Sequence, residues 1–182
     1  MITTTAKTVT LQTPRLILRR FTPNDADAIY HGWASDARVT RFLSQTPHKD
    51  IDDTLMRLSF WIDEYEDGAL NWAIECKEDG RLIGNIKTEK LEKKNAYCEI
   101  GYCLNFDRHG KGYATEALCA VLDYLLNVCH FHKVSASHQK NNPASGRVMQ
   151  KAGMTYEATL RERIYDKTLN IFDDLIIYSI EK

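Results

Sequence analysis

Hydrophobic positions along this chain switch between a period of two and a period near 3.6, and each switch marks an element. After a polar start, residues 16–21 (LILRRF) read as a strand. Thr22, Pro23, Asn24 and Asp25 close it with capping-type side chains beside a proline, which predicts a helix over about residues 24–34. Leu55, Leu58, Ile62 and Tyr65 recur at helical spacing within residues 50–66, so an amphipathic helix is expected there, ended by Gly68. Strand-like runs follow at 70–76 (LNWAIEC), 81–88 (RLIGNIKT) and 96–104 (AYCEIGYCL). Their separators, Glu78-Asp79-Gly80 and the charged stretch 89–95, are short enough to imply antiparallel hairpins.

The clearest one-sided stripe is Ala114, Ala117, Leu118, Val121, Leu125 and Val128, which predicts a central helix. Beyond it, residues 133–137 read as a strand, 144–151 as a short helix halted by Gly153, and 154–160 and 170–180 as two closing strands. This order predicts an α/β fold: a mixed, mostly antiparallel central sheet of about seven strands flanked by about four helices. With 182 residues and no repeat or Pro/Gly/Ser linker, the expectation is one domain over 1–182, residues 1–12 being a loose segment or an edge strand.

Charge narrows the partners. Twenty-four Lys plus Arg against 25 Asp plus Glu leaves a net charge of −1, without the basic surplus that nucleic acid or anionic membranes select. The 5 cysteines form no C-x-x-C, so reduced thiols and a cytoplasmic location are expected. No run approaches the roughly 20 apolar residues of a membrane span, and the first residues lack the pattern of a secretion signal or lipid anchor.

The stretch that carries chemistry runs from Glu99 to Leu118 (EIGYCLNFDRHGKGYATEAL), a strand feeding a glycine-bearing turn that opens a helix. Gly110 and Gly112 allow close backbone approach, and the first-turn amides from Lys111 to Thr115 sit unpartnered at the positive end of the helix dipole, a natural seat for pyrophosphate. A P-loop would need Ser or Thr after Gly-Lys, and a dinucleotide fingerprint would need Gly or Ala where Thr115 stands. Neither spelling fits.

Three ordered segments resemble the GNAT superfamily of CoA-dependent N-acetyltransferases, and within it the Rim-type branch that acetylates N-termini of ribosomal proteins. They are Thr13-Pro-Arg-Leu-Ile-Leu-Arg19, then Glu99-Ile-Gly-Tyr102 with Gly110-Lys-Gly-Tyr-Ala-Thr-Glu-Ala117, and Asn142-Pro-Ala-Ser145 through Lys151-Ala-Gly-Met154. The resemblance implies acetyl-CoA as co-substrate, held by His109, Gly110, Lys111, Gly112, Tyr113, Ala114 and Thr115. His109 stands where the family usually has Gln or Arg. It further implies that pantetheine lies along Tyr102, Cys103 and Leu104, where a backbone amide meets the thioester oxygen, and that Asn142 contacts the pantetheine arm.

Direct attack by an amine requires a base, and a proton or other stabilisation for the leaving thiolate. Glu99 is the candidate base, a carboxylate in an apolar strand at the position where many relatives carry a glutamate acting through water. The tyrosine that serves many relatives as acid is replaced here by Met149. Ser145, matching the N-x-x-S of the Rim-type branch, is therefore expected beside the cofactor sulfur. As structural alternatives, Glu99 could face solvent or a salt-bridge partner, and Asn142 and Ser145 could cap a helix opened by Pro143.

Other chemistry-bearing residues read more simply. Cys129, His130, His132 and His138 have metal-binding types, but no recognisable spacing supplies a complete ligand set, so no metal is expected. Direct attack makes an acyl-enzyme at Cys103 unnecessary. Seven acids within residues 50–67 read first as a solvated helix face, and as a rim for a cationic amine second. Trp33, Phe60, Trp61 and Trp72 read first as core, and one or two of them second as lining for the acceptor groove. The expected acceptor is a primary amine, foremost a protein N-terminal amine, whose lower pKa suits a modest base. A polyamine or aminoglycoside is the alternative, and a non-catalytic acyl-CoA-binding protein a third reading. A monomer and a homodimer are equally consistent with the chain.

Overall fold

The computed structural model describes residues 6–182. Eight strands form one sheet: β1 (Leu11–Gln12), β2 (Leu16–Arg19), β3 (Asn71–Cys76), β4 (Leu82–Glu92), β5 (Tyr97–Leu104), β6 (Lys133–Gln139), β7 (Thr155–Asp166) and β8 (Ile171–Glu181). Their spatial order is β1-β2-β3-β4-β5-β6-β8-β7, antiparallel throughout except for the parallel β5–β6 pair. Part of the expected loose start, residues 11 and 12, thus adds an eighth strand as an edge; residues 1–5 of that segment lie outside the described residues.

Strand alternation sends side chains into two cores, one on each face of the sheet. Trp72 and Ile74 of β3 join Cys98 and Ile100 of β5 under α4 (Tyr113–Asp123), with Met149 of α5 (Pro143–Lys151) in the same cluster. Ala73, between them in sequence, faces the opposite way, onto the layer of α1 (Ala26–Ile29), α2 (Ala37–Thr40) and α3 (Ile51–Asp63) with Trp33, Leu58 and Trp61. Burying Trp33 and Trp72 completely removes large apolar surfaces from water, about 25 cal/mol per Å² of apolar area.

Several elements depart from their sequence patterns. The helix expected over residues 24–34 is three short pieces, a 3-10 turn (Pro23–Asp25), α1 and a π-helical turn (Tyr30–Ala34), and α2 is an additional turn capped by Asp36. On α3 the buried face is Thr54, Leu58 and Trp61; Leu55 is 45% exposed and Phe60 56%, contrary to the expected stripe and core. Of the predicted stripe, Leu58 and Tyr65 are buried and Ile62 packs against the core, so Leu55 alone departs from it. Val128 is also exposed, because the central helix ends in a π-helical turn (Tyr124–Val128) that shifts the stripe and turns Cys129 inward. Finally β7 runs to Asp166, well past residue 160, and β8 inserts between it and β6.

Candidate active site

The parallel strands β5 and β6 pair only from Tyr97 with Lys133 to Ile100 with Ala136, and then diverge. Past that point β5 stays bonded to β4 and β6 to β8, so a wedge opens in the middle of an otherwise continuous sheet. The wedge leads into a cleft of about 720 Å³ that reaches the start of α4.

At the α4 end, Gly110 and Gly112 hold φ of +74° and +81°, the left-handed region that favours glycine. Gly112 is the N-cap, and the first helical bond runs from Glu116 N to Gly112 O, which leaves the amides of Tyr113, Ala114 and Thr115 without helical partners. These amides carry the partial positive charge of the dipole, and Arg147 and Lys151 of α5 line the same cleft. His109 lines the cleft as well; its Nε2 lies 3.0 Å from Leu104 O and its ring packs on Phe106, which braces the loop. A second brace comes from Arg15, whose guanidinium donates to Lys111 O at 2.9 Å and lies over the Tyr113 ring.

Alternation in β5 puts Glu99 and Tyr102, the residue that meets Ser145 of α5, on opposite sides of the sheet. Glu99 and Cys103 face the α1–α3 layer, whereas Tyr102 and Leu104 face α5. Ser137 on β6 donates to Glu99 Oε1 at 3.0 Å, which orients the carboxylate within the cleft. Glu99 is partly buried, and its hydrogen-bond partner is a serine hydroxyl. On the same face a β-bulge between Thr88 and Lys90 carries Glu89, whose Oε1 occupies the space a Cβ at Gly101 would need. Cys103 donates its thiol proton to Asn85 Oδ1 at 3.0 Å, and burial pushes that thiol up to about 12, so it is held protonated.

On the α5 side, Ser145 stands in the first turn of the helix. Its Oγ lies 2.9 Å from Tyr102 Oη, and the same phenol donates to Ser145 O at 3.0 Å. Burial pushes the Tyr102 hydroxyl up to about 12, with the bond to Ser145 opposing, so the phenol keeps its proton. Asn142 occupies the N-cap position of α5 without a side-chain cap bond, and its side chain is free for the cleft that it lines. Met149, in place of the family tyrosine, is fully buried in the core. Gly146 is required beside it all, since a Cβ there would fall 2.5 Å from His138 Nε2.

The far wall of the cleft comes from residues 42–45 and from the β7–β8 hairpin. Lys167 at the hairpin tip donates to Leu43 O at 3.2 Å and Gln45 O at 2.6 Å, while buried Asp166 accepts from the amides of Thr168 and Leu169 and pairs with Arg41. None of these was foreshadowed by a motif. The acidic run of residues 50–67 stays off the cleft, with Asp50 capping α3. Among the described residues no three His, Cys, Asp or Glu are grouped to hold a metal, and no helix is long and apolar enough to cross a membrane.

The family profile described as "Acetyltransferase (GNAT) domain" matches residues 15–155. This chain belongs to the GNAT acetyltransferase family. It is similar to the uncharacterized N-acetyltransferase YoaA of Bacillus subtilis, 30% identical over 94% of this chain and 96% of that protein. The ribosomal-protein-serine acetyltransferase of Escherichia coli is 30% identical over 57% of this chain and 56% of its own. Among solved structures, a GNAT-family acetyltransferase from Bacillus anthracis superposes with a TM-score of 0.82 at 28% identity, covering 95% and 98% of the two chains. RimL, solved with coenzyme A, shares the fold with a TM-score of 0.85 at 18% identity over 95% and 98%. This GNAT chain is thus an acyltransferase of the N-acetyltransferase class, and ribosomal-protein acetyltransferases stand among its relatives, in line with the Rim-type resemblance.

Proposed function

We propose that the whole chain acts as one cytoplasmic acetyltransferase unit, monomer or homodimer, that moves an acetyl group from acetyl-CoA to a primary amine, foremost a protein N-terminal amine. The observation that carries this reading is the wedge between β5 and β6. It passes from a carboxylate on one face of the sheet to a hydroxyl pair on the other, and leads directly to the unclaimed amides of α4. Donor and acceptor can therefore approach one point from opposite faces.

The residues present fit acetyl-CoA. The amides at Lys111, Gly112, Tyr113, Ala114 and Thr115 would take the pyrophosphate, and the diverging backbone at Tyr102, Cys103 and Leu104 would take pantetheine, with Asn142 alongside. The cofactor supplies an activated acetyl thioester. A backbone amide of β5 offers its hydrogen to the oxygen on which charge develops. Glu99, held by Ser137, takes the acceptor's proton through water, and the Ser145 hydroxyl faces the leaving sulfur. A protonated Cys103 bonded to Asn85 is a poor nucleophile, which favours direct attack by the amine.

An α-amino group, with an ordinary pKa of about 7.7–8.0, needs less help from the base than lysine at about 10.4. The ribosomal-protein-serine acetyltransferase among the relatives supports the same choice. The test is CoA release from acetyl-CoA with free-N-terminus peptides, polyamines and aminoglycosides. Turnover of peptides alone supports the reading; turnover of small amines alone moves the acceptor to that class. Acetyl-CoA binding without release in any panel leaves an acyl-CoA-binding protein.

A further inference from the structure

Tyr102 entered the sequence reading only for its backbone, yet its side chain makes the closest polar contact that Ser145 has. The phenol is seated under the first turn of α5, bonded to both Oγ and the carbonyl oxygen of Ser145. Its place in β5 follows from alternation, and its partner comes from a helix 43 residues further on. Both residues line the cleft.

We propose that Tyr102 is the proton source and positioning residue behind Ser145, so that a Tyr102–Ser145 relay supplies the acid function that Met149 cannot. This rests on the reading above that Ser145 stands beside the cofactor sulfur. A phenol has one proton and two acceptors here, Ser145 O and Ser145 Oγ. When the proton points at the carbonyl, the serine hydroxyl donates back to the phenol oxygen and has nothing to offer the sulfur. When it points at Oγ, the serine proton is released to face the cleft. A lone serine hydroxyl is a weak acid; one that accepts from a phenol is a better donor because the bonds polarise one another.

The proton balance closes within the site. As the carbon–sulfur bond breaks, its electron pair stays on sulfur, and Ser145 Oγ gives its proton there. Ser145 recovers a proton from Tyr102 Oη. The phenolate regains one from water, equivalent to the proton that the acceptor nitrogen releases through water to Glu99. Burial, which keeps the phenol protonated, ensures that the relay starts loaded across the neutral range.

The relay can be read without any acceptor, from the thiol of bound CoA. Ultraviolet titration of the thiolate band in the CoA complex is compared for wild type, Tyr102→Phe, Ser145→Ala and the double variant. Binding in each is confirmed by thermal shift. Donors facing the sulfur stabilise the thiolate, so both single variants are expected to raise the thiol midpoint by about one pH unit, a common size for a hydrogen bond to a charged group. The double variant should titrate like Ser145→Ala alone, since the phenol reaches the sulfur only through serine. An unchanged midpoint in Tyr102→Phe with a raised one in Ser145→Ala overturns the role of Tyr102. Unchanged midpoints in both overturn the relay while leaving the acetyltransferase reading intact. Failure of wild type to bind CoA overturns that reading itself, and the relay with it. Tyr102→Phe removes one oxygen and keeps the ring that packs against the core, so the fold is preserved for the comparison.

Discussion

Glu116, in the first turn of α4, accepts from Arg15 at both carboxylate oxygens, from the backbone N–H at 2.9 Å and from Nε at 2.6 Å. Thr13 adds a third bond at 2.6 Å, and the same arginine reaches Lys111 O. The start of β2 is thereby lashed to the glycine loop, which gives the Thr13-Pro14-Arg15 segment a physical role that its spelling did not disclose. Burial alone would push the Glu116 carboxyl up, but the bonds from Thr13 and Arg15 outweigh it and hold it below its ordinary value.

That depression sets a sign. A carboxyl lowered in the folded protein contributes stability that is fully present above its unfolded value of about 4.3 and is lost as pH falls through the folded value. Replacing Glu116 by Gln is expected to cost about 1–2 kcal/mol at neutral pH, given the half-exposed arginine, and to weaken acetyl-CoA binding. The stability difference from wild type should shrink toward acid pH. Urea unfolding at pH 7 and pH 4, with a binding titration at pH 7, checks both.

Glu99→Gln should lower kcat by about 100-fold or more at low pH, where the acceptor arrives protonated, with acetyl-CoA affinity kept. The deficit should narrow as pH approaches the acceptor's own pKa. Ser137→Ala, which removes the bond that orients the carboxylate, should give the same profile at smaller amplitude. A parallel pH–rate profile for Glu99→Gln and wild type would remove Glu99 as base.

Gly112→Val places a β-branched residue at φ +81° and directs its Cβ to 3.3 Å from the Arg15 guanidinium. The loop must distort, at a cost of about 1–2 kcal/mol or more for the left-handed backbone alone. Acetyl-CoA should cease to raise the melting temperature while circular dichroism of the fold persists. Gly110, with open space around it, should tolerate Ala better.

Lys167→Ala frees residues 43–45 from the β7–β8 hairpin tip. Because this wall lies away from the α4 amides, the acceptor KM should rise several-fold with little change in acetyl-CoA affinity. Equal effects on both substrates, measured by steady-state kinetics, would show that the hairpin supports the whole cleft and not the acceptor side.

Elements with a strong local period were legible from the residues alone. The three-strand meander over β3, β4 and β5, the central helix and the glycine turn before it all follow from side-chain alternation, a 3.6-residue stripe and the conformational freedom of Gly110 and Gly112. Glu99 could be singled out as a carboxylate in an apolar strand at a position where relatives carry a glutamate, and Ser145 only through its match to the N-x-x-S of the Rim-type branch. What they touch could not. Ser137 meets Glu99 only because β6 runs parallel to β5 in one register, and Tyr102 meets Ser145 only because α5 seats over the diverging strands. The same holds for β8 inserting between β6 and β7, for the hairpin tip on residues 43–45, and for Arg15 on Glu116. The chain by itself determined the fold class, the strongly periodic elements and the glycine turn that opens α4, since those arise from neighbours in sequence. Tertiary structure alone decided the wedge and the partners of Glu99 and Ser145, because register and helix seating are set by packing energies summed over residues far apart in the chain.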